Sequence, residues 1–135
     1  MLSSVGKMDV VAARVAAGGL VEFRSTGSSM VPLIHSRDLV TVAPVDPTKL
    51  EVGDIVLAKV AGTVYLHLIS ALDVSRGRVQ ISNNRGRVNG WTNHDRVFGI
   101  CLAVEGVSRP GAKKKVRQSP PRSGDAGADL PNSES

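Results

Sequence analysis

Residues 55–70, IVLAKVAGTVYLHLIS, decide the fold. Residues 55–60 and 64–70 are two runs rich in Val, Leu and Ile, and the Ala61-Gly62-Thr63 between them is a short connection containing Gly. Two such runs around such a connection read as a β-hairpin. Side chains alternate along a strand, so Tyr65, His67 and Ile69 share one face of the second run while Val64, Leu66 and Leu68 share the other. The hairpin therefore carries a histidine among apolar neighbours.

Working outward, residues 20–24 have period two, with Leu20, Glu22 and Arg24 set against Val21 and Phe23, and the turn residues 25–28 close this strand. Residues 39–43 form another, stopped by Pro44 and by Asp46-Pro47, because proline cannot donate to a ladder. Residues 78–82 and 96–104 bring the count to about six. One helix is expected, over 7–17, where Met8, Val11, Ala12 and Val15 recur at i, i+3, i+4 and i+7 before Gly18 and Gly19 stop it. So many strands with one short N-terminal helix imply a mostly β, compact, mainly antiparallel fold.

The 135 residues fit one small domain with a tail, and aromatic residues at 3% leave the core to Val, Leu, Ile and Ala. The expected organisation is an N-terminal helix in 1–19, a β-domain in 20–108, and a basic, Pro/Ser/Gly-rich tail in 109–135 with too little apolar surface to order itself. The net charge of +5 divides unevenly: residues 1–108 hold 11 basic and 9 acidic residues, and residues 109–135 hold 6 and 3. Nucleic-acid contact is thus expected only as a weak phosphate attraction through the tail, against the plainer reading of a solvated segment. No helix-turn-helix precedes residue 20, which argues against sequence-specific DNA recognition.

No apolar run approaches the ~20 residues that span a bilayer, and the N-terminus lacks a secretory pattern, so a cytoplasmic chain without a membrane span is expected. Cys101, alone in the chain, lies in the apolar run 97–104 and reads as a buried structural residue. No His, Cys or carboxylate cluster has ligand spacing, so neither metal nor cofactor is expected.

Residues 26–32, TGSSMVP, place serines in a turn-rich segment between two strands, followed by an apolar Met and a conformation-restricting Pro. A serine hydroxyl needs a neighbouring base, and donors for the oxyanion, before it can transfer an acyl group. The order of residues from 27 to 69 resembles the S24/S26 serine peptidase superfamily, which includes signal peptidases and the self-cleaving domains of LexA-like repressors. The matching pieces are Gly27-Ser28-Ser29-Met30-Val31-Pro32, Arg37-Asp38-Leu39-Val40-Thr41-Val42, Val52-Gly53-Asp54-Ile55-Val56-Leu57 and Tyr65-Leu66-His67-Leu68-Ile69.

That resemblance implies a LexA/signal-peptidase-like β-fold with Ser29 as nucleophile and His67 as general base, the Ser-His variety of the family. Desolvation among apolar neighbours would keep the imidazole neutral and able to take a proton. The Ser29 N–H is the candidate oxyanion donor, helped by the hydroxyl of Ser28 or Thr26, since Gly27 stands where many signal peptidases carry a serine. The chain departs from the family pattern at Arg37 in the first Gly-Asp, at Leu68 where an Arg commonly follows the base, and at Ser82-Asn83-Asn84 in place of Gly-Asp-Asn. Asn83 and Asp95 are accordingly the candidates for orienting the base, Asn83 by hydrogen bonding and Asp95 as a third, charged member.

His35 and His94 read as surface residues, Asp38 and Asp54 as turn residues bonding loop backbone, and Met30 and Pro32 as packing and turn determinants. Ala17-Gly18 resembles the self-cleavage segment of LexA-like proteins, but the helix-stop reading is preferred, because only ten residues separate Gly18 from Ser29. The expected function is a soluble serine endopeptidase that binds a peptide or protein substrate extended beside an edge strand. The alternative is a catalytically inactive family member serving as a binding or regulatory module, with self-association as one such role.

Overall fold

A computed structural model describes residues 7–117. It contains helix α1 (Lys7–Ala16) and strands β1 (Val21–Arg24), β2 (Leu39–Pro44), β3 (Ile55–Val60), β4 (Thr63–Asp73), β5 (Arg78–Ser82), β6 (Val88–Asn93), β7 (Val97–Val104) and β8 (Val107–Ser108). Every strand pairing is antiparallel, in the order β1-β2-β7-β3-β4-β5-β6, with β8 added to β7. The fold is mostly β, as the strand periodicities require. No helix among the described residues is long and apolar enough to cross a membrane.

The hairpin at the centre of the sequence reading is β3–β4. Val60 pairs with Thr63 across Ala61 and Gly62, whose φ angles of 48° and 86° are those of a two-residue type I′ turn. Alternation along β3 then sends Ile55 and Leu57 to one core and Val56 and Ala58 to a second, on the other face of the sheet. The first core is covered by Val11, Ala12 and Val15 of α1, and the second by the chain around Val45, Leu50 and Ala112. Helix and sheet meet most closely at Gly99 of β7, where a Cβ would lie 2.5 Å from Val15 Cγ1 and 2.7 Å from the Ala43 carbonyl oxygen. Cys101 is buried in the first core, and burial pushes its thiol up to about 11, the state of an inert packing residue.

Two expectations need correction, the strand count and the tail: the described residues hold eight strands rather than about six. Strand β6 was not among those expected, because VNGWTN has neither alternation nor a run of branched residues; it is held by pairing with β5 and by Thr92, whose hydroxyl donates to the Lys59 carbonyl at 2.7 Å. The two-residue β8 is too short to carry any period. The tail was expected to be disordered from residue 109, yet its first nine residues are folded: Val116 bridges Val45, and the Arg117 N–H donates to the Pro44 carbonyl.

The reason is electrostatic as well as apolar. The Lys115 ammonium is buried and donates to both oxygens of Asp54 at 2.8 and 2.9 Å and to Glu51 at 2.7 Å. Read as part of a basic run it looked solvated; in the fold it is spent on two carboxylates and is not offered to phosphates. Residues 118–135 of the expected tail lie outside the described residues.

Candidate active site

Ser29 opens a tight turn after β1. The Val31 N–H donates to the Ser28 carbonyl and the Ile34 N–H to the Met30 carbonyl, while buried Met30 and Ile34 anchor the turn in the first core. The Val31–Pro32 peptide bond is cis. A second chain segment clamps this turn: the Asn84 N–H donates to the Ser29 carbonyl at 2.9 Å, and its side-chain amide donates to the Val31 carbonyl at 2.9 Å. The backbone that carries the Ser29 hydroxyl is thereby held through its carbonyl side.

His67 lies in β4 opposite Val56 and is 8% exposed. Its ring stacks on Tyr65 with centroids 4.9 Å apart. Ser29 Oγ and His67 Nε2 are 3.1 Å apart, a hydrogen bond in which the hydroxyl donates when Nε2 carries a lone pair. The other ring nitrogen, Nδ1, lies 2.6 Å from Asn89 Oδ1. An amide oxygen can only accept, so it holds the ring proton on Nδ1 and leaves Nε2 basic toward Ser29. Burial pushes the imidazole pKa below 6.5, and the Asn89 hydrogen bond partly opposes that shift. At neutral pH the ring is uncharged and in the tautomer that can accept the hydroxyl proton.

Ser29 and His67 are thus brought together, and the two residues expected to orient the ring are not at it. Asn83 is turned to its own loop, where Oδ1 accepts from the Arg85 and Arg87 N–H groups at 2.8 and 2.9 Å. Asp95 sits exposed in the 3₁₀ turn His94–Arg96 and makes no hydrogen bond to His67. The ring partner is instead Asn89, which the sequence reading did not single out.

Its placement comes from a β-bulge. Ile81 pairs with Gly90 and Ser82 with Val88, so Asn89 is the extra residue between them, and its side chain is re-aimed across β5 toward β4. The sequence signal was the pair Asn89-Gly90, with Gly90 at φ 139°, a conformation side chains rarely adopt.

A cleft of about 470 Å³ opens at the Ser29–His67 pair. One wall is Phe23 to Gly27, the other Gly62 to His67. Among the described residues both walls carry strand edges without a ladder partner: β1 ends the sheet order, with its Arg24 carbonyl accepting from Lys7 Nζ at 2.7 Å, and pairing of β4 with β5 begins only at Leu68, leaving its first residues paired with β3 alone. Thr26 faces the cleft, whereas the Ser28 hydroxyl is turned away to Arg85 Nη2 at 3.4 Å. The Ser29 N–H meets no acceptor among the described residues and remains a donor for an oxyanion.

The remaining expected positions fall into place as turn chemistry. Asp38 accepts from the His35 N–H and Asp54 from the Glu51 N–H, both at 2.8 Å. His35 is exposed, and His94 is half-buried against Gly77 rather than a free surface residue. Ala17 and Gly18 form the capped end of α1, with the Gly18 and Gly19 N–H groups donating to the Val15 and Arg14 carbonyls; neither lines the cleft. The described residues hold no group of His, Cys, Asp and Glu arranged for a metal ion. No family model, curated protein or solved structure matches the chain.

Proposed function

We propose that this chain is a serine endopeptidase of the signal-peptidase/LexA-like type, using Ser29 as nucleophile and His67 as general base. One observation carries the reading: the 3.1 Å approach of Ser29 Oγ to a buried imidazole whose far nitrogen is held by an acceptor. In the proposed reaction the peptide lies extended between the free edges of β1 and β4, where main-chain hydrogen bonds align the scissile bond. The Ser29 proton passes to Nε2 as Oγ bonds to the carbonyl carbon, and the Ser29 N–H, with the Thr26 hydroxyl on the cleft side, receives the oxyanion.

The imidazolium then protonates the leaving amine as the C–N bond breaks. Water deacylates the ester by the reverse proton path. Asn89 keeps the ring in the working tautomer but offers only a dipole to the imidazolium, so the rate gain from the third residue is smaller than a carboxylate would give. The proposal includes peptide or protein substrates and a cytoplasmic location, the latter tested by cell fractionation.

The decisive experiment is labelling with a serine-directed acylating probe, comparing the wild-type chain with Ser29→Ala and His67→Ala. Labelling that requires both side chains supports the peptidase. Equal labelling of all three, or none, leaves a binding or regulatory module.

A further inference from the structure

Resting on the peptidase reading, we infer that the preferred substrate is acidic on the arm of the chain that leaves the cleft beyond Ser29, where it meets Arg85 and Arg87. The Asn83–Arg87 turn adjoins the nucleophile segment without lining the cleft: Gly27, Ser29 and Met30 line the cleft, whereas Ser28 does not and its hydroxyl meets the Arg85 guanidinium. A peptide with one arm between β1 and β4 and its scissile bond at Ser29 Oγ carries its other arm over that turn. What it meets there is positive charge.

Both arginines are exposed, and neither forms an ion pair among the described residues. Three other basic side chains are neutralised by carboxylates, Arg24 by Glu105, Arg76 by Asp73, and Lys115 by Asp54 and Glu51; what sets Arg85 apart from the remaining cations is its place, with its guanidinium at the hydroxyl of the residue before Ser29. The turn that presents the free pair is pre-organised, because Asn83 Oδ1 bonds the N–H of each arginine and the Asn83 N–H donates to the Arg87 carbonyl. It is also bolted to the nucleophile turn by the two Asn84 hydrogen bonds. The Arg85 guanidinium, at the hydroxyl of the residue before the nucleophile, and exposed Arg87 two positions on in the same turn complement carboxylates, which guanidinium groups can engage in bidentate fashion.

The test uses the full-length Ser29→Ala chain, so that binding is read without turnover. Fluorescent ten-residue peptides with a small-residue half and an acidic, neutral or basic half, made in both orders, are titrated by anisotropy at low and high salt. The expected result is that one order of the acidic peptide binds about tenfold more tightly than its neutral counterpart at low salt. That advantage disappears at high salt and in an added Arg85→Gln/Arg87→Gln background, whose unchanged thermal melt shows intact folding.

Equal affinity for the three peptides, an acidic preference that survives loss of both arginines, or tighter arginine-dependent binding of a single-stranded oligonucleotide overturns the inference. Probe labelling of the wild-type chain separates the two levels. Labelling without acidic preference keeps the peptidase and sinks the substrate class; an arginine-dependent acidic preference without labelling keeps the acidic-peptide site and sinks the peptidase.

Discussion

At the residue scale, His67 is poised by two opposed effects. Burial lowers its pKa below 6.5, and the Asn89 oxygen, which bonds the ring N–H, raises it part of the way back. The acid limb of kcat/KM is therefore expected below pH 6.5, because activity is lost only when Nε2 takes a proton from solvent. Asn89→Asp sets a full negative charge beside the Nδ1 proton and should move that limb, and the NMR titration of His67, up by at least about one unit. A titration that stays put would mean that Asn89 does not govern the ring. Arg37 offers a test that needs no activity. It stands where the resembling family has Gly and adopts φ 75°, the left-handed region that costs a side chain roughly 1 kcal/mol. Its N–H and carbonyl bonds to Ser25 and Arg24 survive substitution, so Arg37→Gly should raise the urea-unfolding free energy by up to about 1 kcal/mol despite the extra chain entropy of glycine.

At the scale of elements, Gly99 is where α1 and the sheet approach too closely for a side chain. In Gly99→Ala the new methyl meets the Ala43 carbonyl at 2.7 Å, which cannot rotate away, as well as Val15 and Val42. A loss of about 1–3 kcal/mol is expected by chemical denaturation, with α1 lifted from β7. Val15→Ala in the same chain should recover part of it by removing the methyl at 2.5 Å. The elements that sequence made legible are those with a strong period and firm stops: α1 ends one residue earlier than its periodicity predicts, β1 starts one residue later, and the β3–β4 hairpin turns on Ala61-Gly62. Ser29 and His67 were legible through the order of motifs around them. Asn89 was not, because a β-bulge is a property of two strands in register, and a single chain segment does not reveal which residue its partner leaves unpaired. Lys115 escaped for the same reason: its carboxylates come from a turn more than sixty residues earlier.

At the scale of the molecule, one sheet separates two cores, and the chain after β8 closes the second by locking onto the Gly53-Asp54 turn. That turn is itself bound to the strand of the candidate base, since the Gly53 N–H donates to the Ile69 carbonyl and the Ile69 N–H donates to the Asp54 carbonyl, two residues beyond His67. Removing the ammonium leaves Asp54, whose side chain is 12% exposed, without its charge partner. Lys115→Met should cost on the order of 3 kcal/mol of unfolding free energy, well beyond what an exposed ion pair gives. The pH dependence distinguishes this ion pair from mere packing. Burial works against the charge of Lys115, but Asp54 and Glu51 outweigh it and raise its pKa above 10.5. Its contribution is therefore complete below 10.5 and fades as pH climbs through the higher folded value. The Lys115 hydrogen bond and charge lower the pKa of Glu51 from 4.5, so that carboxylate's contribution holds above 4.5 and fades as pH falls through the folded value. The stability gap between wild type and Lys115→Met, measured by urea unfolding across pH, should be flat between those limits and narrow outside them; a gap independent of pH would show that the methylenes of Lys115, not its charge, hold the chain end in place.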